Sequence, residues 1–274
     1  MSNSAGIKKG MVTVLFSLAS TLLFAQNPLP APKHGDLYVI AHRGAHQGIP
    51  ENSLAAYQRA IELGCDFIEI DVRTSSDGEI VSIHNATIDA YVLQKKGKVS
   101  DLTLQEIRDL DIGEKVGPEW KGTQVPTFEE ILELSAGKIG IYLDLKDADP
   151  QVLIPLLRKY DMAQATVWYL DAAQRELIQS IQSQCPECLI MPDPGSDANI
   201  PKVAELYRPG ILATDMGQLT PSFVKEAHRL RSMVFVDDRV ANVQEWKQIL
   251  SFGTDGIQTD QPEALIKYLQ SLPN

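Results

Sequence analysis

The stretch "FIEIDVRTSSDGEIVSIH", residues 67–84, decides the fold. Its first half alternates apolar and acidic residues and reads as a strand. Asp77-Gly78 is a strong turn signal. A second strand-like run, 79–84, follows at once. A parallel neighbour would need a crossover of about a dozen residues or more. The second run therefore returns antiparallel as a hairpin arm.

The rest of the chain obeys a different rule. Short apolar runs at 38–42, 67–72, 139–145, 165–170, 188–192, 210–214, 233–237 and 256–259 are each followed by a helix-like segment. Several helix starts carry capping-box spacing: Thr127 with Glu130, Asn242 with Glu245, and Asp260 with Glu263. Eight such alternations predict an α/β fold, a (β/α)8 TIM barrel with a hairpin arm and an insertion after the second strand. A doubly wound open sheet satisfies the same alternation. Residues 79–126 form the insertion, with a short helix near 103–110, on the face where barrel loops build sites.

The 274 residues, 44% of them hydrophobic, have ordinary globular composition. Lys8 and Lys9 precede an apolar run from Met11 to Ala25, which is short for a membrane span. Residues 1–25 read as a secretory signal peptide, or as an uncleaved anchor. Residues 26–36 read as a Pro-rich tether, and residues 37–274 as the barrel domain. A periplasmic or secreted location is expected, with no stable membrane insertion after cleavage. Loss of the signal takes the net charge from −11 to −13, because that segment holds two lysines and no acid. Such acidity argues against a nucleic-acid partner. Cys185 and Cys188, in "CPEC", form a small disulfide or stay as two thiols, and Cys65 reads as a buried thiol.

Glu69 and Asp71 lie two apart and share one strand face. Two carboxylates side by side repel each other, and either a divalent cation or a Lys or Arg resolves the conflict. "IYLDLK" places Asp144 and Lys146 on one face in the same way. Three hard oxygen donors suit one divalent cation, Ca2+ or Mg2+. His42 and Arg43 end the first strand, and His84 arrives on the arm. Two imidazoles beside an anion clamp suit phosphodiester cleavage, one accepting a proton and one giving it. Arg43 and Lys146 can grip phosphate. Glu51 and Asn52 are read as orienting residues, and Trp168 as a pocket wall.

"HRG", "PENS", "GCDFIEIDVRTSSDGEIVSIHN", "LTLQEIRDLDIG", "VPTFEEIL", "YLDLK" and "DGIQTDQP", in that order, resemble the glycerophosphodiester phosphodiesterase family from about residue 38 to 269. The resemblance implies the phosphodiesterase barrel shared with phosphatidylinositol-specific phospholipase C. It also implies metal-dependent hydrolysis of small glycerophosphodiesters to an alcohol and glycerol 3-phosphate. By the same resemblance His42 and His84 are the acid–base pair, Glu69, Asp71 and Asp144 metal ligands, and Arg43 and Lys146 phosphate contacts. The chain departs from the family pattern at Asp144, where Glu is usual, at Asn85, where Asp is usual, and at "FVDDR", residues 235–239. Two other readings stand beside hydrolysis: a cyclising lysophospholipid phosphodiesterase on the same barrel, and a barrel that binds phosphodiesters without turnover.

Overall fold

The computed structural model describes residues 29–93 and 95–273. The signal peptide expected over 1–25, and the start of the tether, lie outside the described residues. Strand β1 (Tyr38–Ala41) leads to helix α1 (Leu54–Leu63), then β2 (Phe67–Thr74), the arm β3 (Ile80–Ser82), and helices α2 (Leu104–Arg108) and α3 (Phe128–Ser135). Regular alternation follows: β4 (Gly140–Leu145), α4 (Pro150–Lys159), β5 (Thr166–Asp171), α5 (Arg175–Gln184), β6 (Leu189–Asp193), α6 (Ile200–Tyr207) and β7 (Ile211–Asp215). Helix α7 (Pro221–Arg229), β8 (Met233–Asp238), α8 (Val243–Phe252), β9 (Gly256–Thr259) and α9 (Pro262–Gln270) complete the chain.

Eight parallel strands make an α/β barrel, in the order β6-β5-β4-β2-β1-β9-β8-β7, with β3 antiparallel to β2. β6 and β7 lie against each other and close the ring. Among the described residues no backbone hydrogen bond joins them, so the barrel has a seam.

Strand parity sorts the residues. Ile68, Ile70, Val72, Leu143 and Trp168 face the helix layer and share one large core with it. Tyr38, Ile40, Phe67, Tyr142, Val167, Met191, Ala213 and Phe235 fill the barrel interior. Gly256 makes room there, since a Cβ would meet the Phe235 ring at 2.6 Å. The insertion carries its own small core of Val81, Ile88, Val99, Ile107, Ile112 and Val125.

The expected tether is, from Leu29 on, a floor to the barrel. Leu29 joins the interior cluster. Tyr38 donates its hydroxyl to the Pro30 carbonyl at 2.7 Å, Lys33 donates its main-chain N–H to Asp66 at 2.9 Å, and His34 bonds the Gly64 carbonyl at 3.0 Å. Apolar burial and backbone pairing outweigh the loop-like composition. Cys185 and Cys188 are joined as a disulfide, and Cys65 is a buried thiol that burial pushes up to about 12.

Candidate active site

The loop after β1 is bent by two left-handed residues, Arg43 (φ 52°) and Gly44 (φ 84°). A Cβ on Gly44 would stand 2.8 Å from Ala56, so α1 packs directly on the turn. The bend aims the Arg43 main-chain N–H at Glu69 Oε2, 2.7 Å away. Asn52 is left-handed too, at φ 50°. Its side-chain amide donates to Asp71 Oδ2 at 2.8 Å. Its carbonyl accepts from the Tyr57 hydroxyl at 2.8 Å and from Ser82 at 3.0 Å. Non-glycine residues held at positive φ store strain, which the surrounding bonds hold in place.

Register places Asp71 beside Asp144. Oxygens of Glu69, Asp71 and Asp144 lie within 4.8 Å of one another. Burial pushes the Glu69 carboxyl well above its ordinary range, and repulsion from Asp71 and Asp144 adds to this. Burial raises Asp144 as well, although Lys146 opposes it. Lys146 Nζ stands 2.5 Å from Asp144 and 3.1 Å from Asp71. Arg43 Nη1 pairs with Glu51 at 3.0 Å, and its Nε stands 3.8 Å from Asp71. Among the described residues no salt bridge reaches Glu69. Protein cations thus offset part of the cluster's charge. A hard, oxygen-only donor set with surplus negative charge fits a divalent cation.

His42 Nδ1 and His46 Nε2 both bond Asp260 Oδ1, at 2.6 and 3.0 Å. Burial alone would raise the Asp260 carboxyl, but hydrogen bonds from the two imidazoles hold it below its ordinary range. His84 Nδ1 bonds Asn85 Oδ1 at 2.9 Å. Arg73 grips the His84 carbonyl through Nε at 3.1 Å and Nη2 at 2.8 Å, and is itself fixed by Asp147 at 2.6 Å. With Nδ1 engaged on His42 and on His84, Nε2 of each is left without a hydrogen bond among the described residues. The His42 and His84 rings line one cavity of about 220 Å³ together with Glu69, Asp144 and Lys146. Arg43 and Glu51 line a neighbouring cleft of about 420 Å³ against the insertion.

Trp168 is placed otherwise than expected. Its register with Leu143 and Ile190 turns it outward, where it is fully buried against the helices. The cavity is walled instead by Tyr142 and Tyr169, stacked with centroids 6.0 Å apart. Asp260 was expected to cap α9; the residue before that helix is Gln261, with no side-chain cap bond, and Asp260 serves the histidines. Tyr91 is half-buried and accepts the Asn85 main-chain N–H at 3.0 Å.

A further regularity runs through the barrel strands. Asp144, Asp171, Asp193, Asp215 and Asp237 stand at or next to the last residue of their strands, Asp71 lies within β2 and Asp260 just after β9, and all seven have the parity of the interior residues. Asp193, Asp215 and Asp237 line the same cavity as the histidines, with Gln258 and Arg239. The signal is an aspartate recurring at or near the carboxyl end of strand after strand, visible once strands are aligned by parity.

The chain is similar to known proteins. A model described as "Glycerophosphoryl diester phosphodiesterase family" matches residues 42–193. A glycerophosphodiester phosphodiesterase of Caldanaerobacter subterraneus is 28% identical over 252 residues, covering 85% of this chain and 97% of its own. A putative glycerophosphodiester phosphodiesterase of Bacillus subtilis is 31% identical, covering 84% of this chain and 97% of its own. The crystal structure of a glycerophosphodiester phosphodiesterase from Agrobacterium tumefaciens superposes with a TM-score of 0.75 at 28% identity, covering 84% of this chain and 99% of that one. The chain belongs to the glycerophosphoryl diester phosphodiesterase family and is a phosphoric diester hydrolase.

Proposed function

We propose that this protein hydrolyses glycerophosphodiesters to an alcohol and glycerol 3-phosphate, using His42 and His84 as a proton-transfer pair above a divalent-cation site. The observation that carries the reading is the shared cavity: two imidazoles, each with Nδ1 anchored, over three converging carboxylates. A structure at 21% identity, from Oleispira antarctica, was solved with the product sn-glycerol-3-phosphate, and its TM-score of 0.77 speaks for the common fold.

Glu69, Asp71 and Asp144 would hold the cation, which when bound supplies positive charge against the phosphoryl oxygens. Arg43 and Lys146 bind the phosphate and orient it. His42 takes the proton of the attacking water at Nε2. Asp260 faces its Nδ1 and stabilises the positive ring that results. His84, whose Nδ1 faces the neutral Asn85 carbonyl, gives a proton at Nε2 to the departing alkoxide. Glu51 steadies Arg43, and Asn52 steadies Asp71.

Export to the periplasm or medium belongs to the same proposal. The N-terminal sequence supports it, and so does the Cys185–Cys188 disulfide, since such bonds persist in oxidising compartments. Among the described residues no helix is long and apolar enough to cross a membrane.

The test is a product assay on a panel of glycerophosphodiesters and lysophospholipids with Ca2+, with Mg2+ and with EDTA. Glycerol 3-phosphate released with metal and lost in EDTA is the expected result. Full turnover in excess chelator would remove the cation from the mechanism. A stable cyclic phosphate as end product would replace hydrolysis by cyclisation.

A further inference from the structure

The half of the cavity opposite Glu69, Asp71 and Asp144 has no task in the mechanism above. It is built from Asp193, Asp215, Asp237 and Gln258, at the ends of four consecutive strands of the ring. Arg239 pairs with Asp237 at 2.9 Å. Among the described residues no salt bridge reaches Asp193 or Asp215, which meet across the seam. Asp193 accepts the Gly195 main-chain N–H at 2.8 Å; Asp215 accepts the main-chain N–H groups of Gly217 and Gln218 at Oδ1 and the Gln218 side-chain amide at Oδ2, at 3.1 Å, and these neutral donors leave the charge of both carboxylates uncompensated. Burial, with repulsion from Asp215 and Asp171, raises the Asp193 carboxyl above its ordinary range.

Among the described residues, two acceptors on this wall have no donor. Gln258 is only 5% exposed, lines the cavity, and its side-chain carbonyl has no hydrogen-bond partner. Asp237 Oδ1 is buried without a partner, and Asp237 lies opposite Gln258 in register. A buried unpaired acceptor costs free energy unless a ligand donates to it. The wall therefore asks for a group with several donors and a positive charge. A neutral polyol supplies donors but leaves the carboxylates uncompensated. A quaternary ammonium supplies charge but has no N–H. A metal ion fits poorly, because among the described residues these oxygens do not gather as those of Glu69, Asp71 and Asp144 do. A primary ammonium satisfies both demands, having three donors and a charge. The stacked Tyr142 and Tyr169 add ring surface beside it, which favours a cation further.

We propose that this wall is a subsite for a primary ammonium group, so that the preferred substrates are glycerophosphodiesters of amino alcohols. The inference rests on the hydrolase reading above. It adds the identity of the arm that enters the barrel mouth.

The experiment compares kcat/KM for glycerophosphoethanolamine, glycerophosphocholine and glycerophosphoglycerol in the wild type and in the double variant Asp193→Asn, Asp215→Asn. Asparagine keeps a carbonyl for the Gly195 and Gly217 N–H groups, and circular dichroism with a melting curve checks the fold. Binding of the same three diesters is read by calorimetry. The expected result is a wild-type preference for the primary amine of about tenfold or more over the other two, falling to near parity in the variant. Equal kcat/KM for the three diesters in the wild type, or a preference unchanged in the variant, overturns the subsite and leaves the hydrolase reading standing. Turnover of none of them overturns the hydrolase reading; calorimetry then judges the subsite separately, and equal affinities end it.

Discussion

At the residue scale, the site works through atoms that hold other atoms. Asp260 is the clearest case, because it touches His42 and His46 through one oxygen. Asp260→Asn keeps the shape and removes the charge that stabilises a protonated His42. We expect kcat to fall by about 100-fold with KM little changed, measured on a glycerophosphodiester with saturating metal. His42→Ala and His84→Ala should each lose more, by about 1,000-fold or above, with an unaltered circular-dichroism spectrum. Asn52 carries a different load. Asn52→Ala takes the shared acceptor from the Tyr57 and Ser82 hydroxyls, which keep only their 2.8 Å bond to each other, and the amide donor from one Asp71 oxygen; urea unfolding should show a loss of about 2–3 kcal/mol. That His42 and His84 would come together with Glu69, Asp71, Asp144, Arg43 and Lys146 was legible in the sequence because their types and spacings are chemically unusual together. Asp260 was not, because an aspartate before a helix has a commoner explanation as a cap.

At the element scale, strand ends decide what each side chain does. Parity separated Tyr169 from Trp168, one residue apart on β5, and only the register with β4 and β6 reveals which faces inward. A single strand with apolar residues on both faces does not carry that information. The alternation of strands and helices, the Asp77-Gly78 turn and the Thr127 capping box lie in local sequence and could be read there. The burial of Leu29 could not, since its partners come from strands distant in sequence. The end of β8 makes a measurable prediction. Asp238 is fully buried there, and burial together with Glu245 raises its carboxyl from 3.8 to about 6. A carboxyl with a folded-state pKa above its unfolded one holds more protons when folded. Its contribution is complete below pH 3.8 and is lost as pH rises through about 6. Melting temperature should therefore drop between pH 4 and 6.5 relative to Asp238→Asn, which lacks this titration; superimposable curves would refute the assignment.

At the scale of the whole molecule, the barrel collects charge that the linear sequence spreads over two hundred residues. A net charge of −11 gave no hint that the acids converge on one mouth. Such a mouth is held together against repulsion, and a cation that binds the folded state alone must stabilise it. Millimolar Ca2+ or Mg2+ should raise the melting temperature, by a free energy of about 2.7 kcal/mol at a hundredfold excess over Kd. Glu69→Gln should abolish that rise, and a wild-type melting curve indifferent to both ions would contradict the site.

The unzipped junction of β6 and β7 gives the ring a preferred place to breathe. Strands stitched on both flanks surrender their amides only when the domain comes apart, whereas these two each have a flank free of that restraint. Deuterium should enter this flank first. Because Asp193 and Asp215 stand on opposite lips of the gap, whatever neutralises them also latches the cylinder shut.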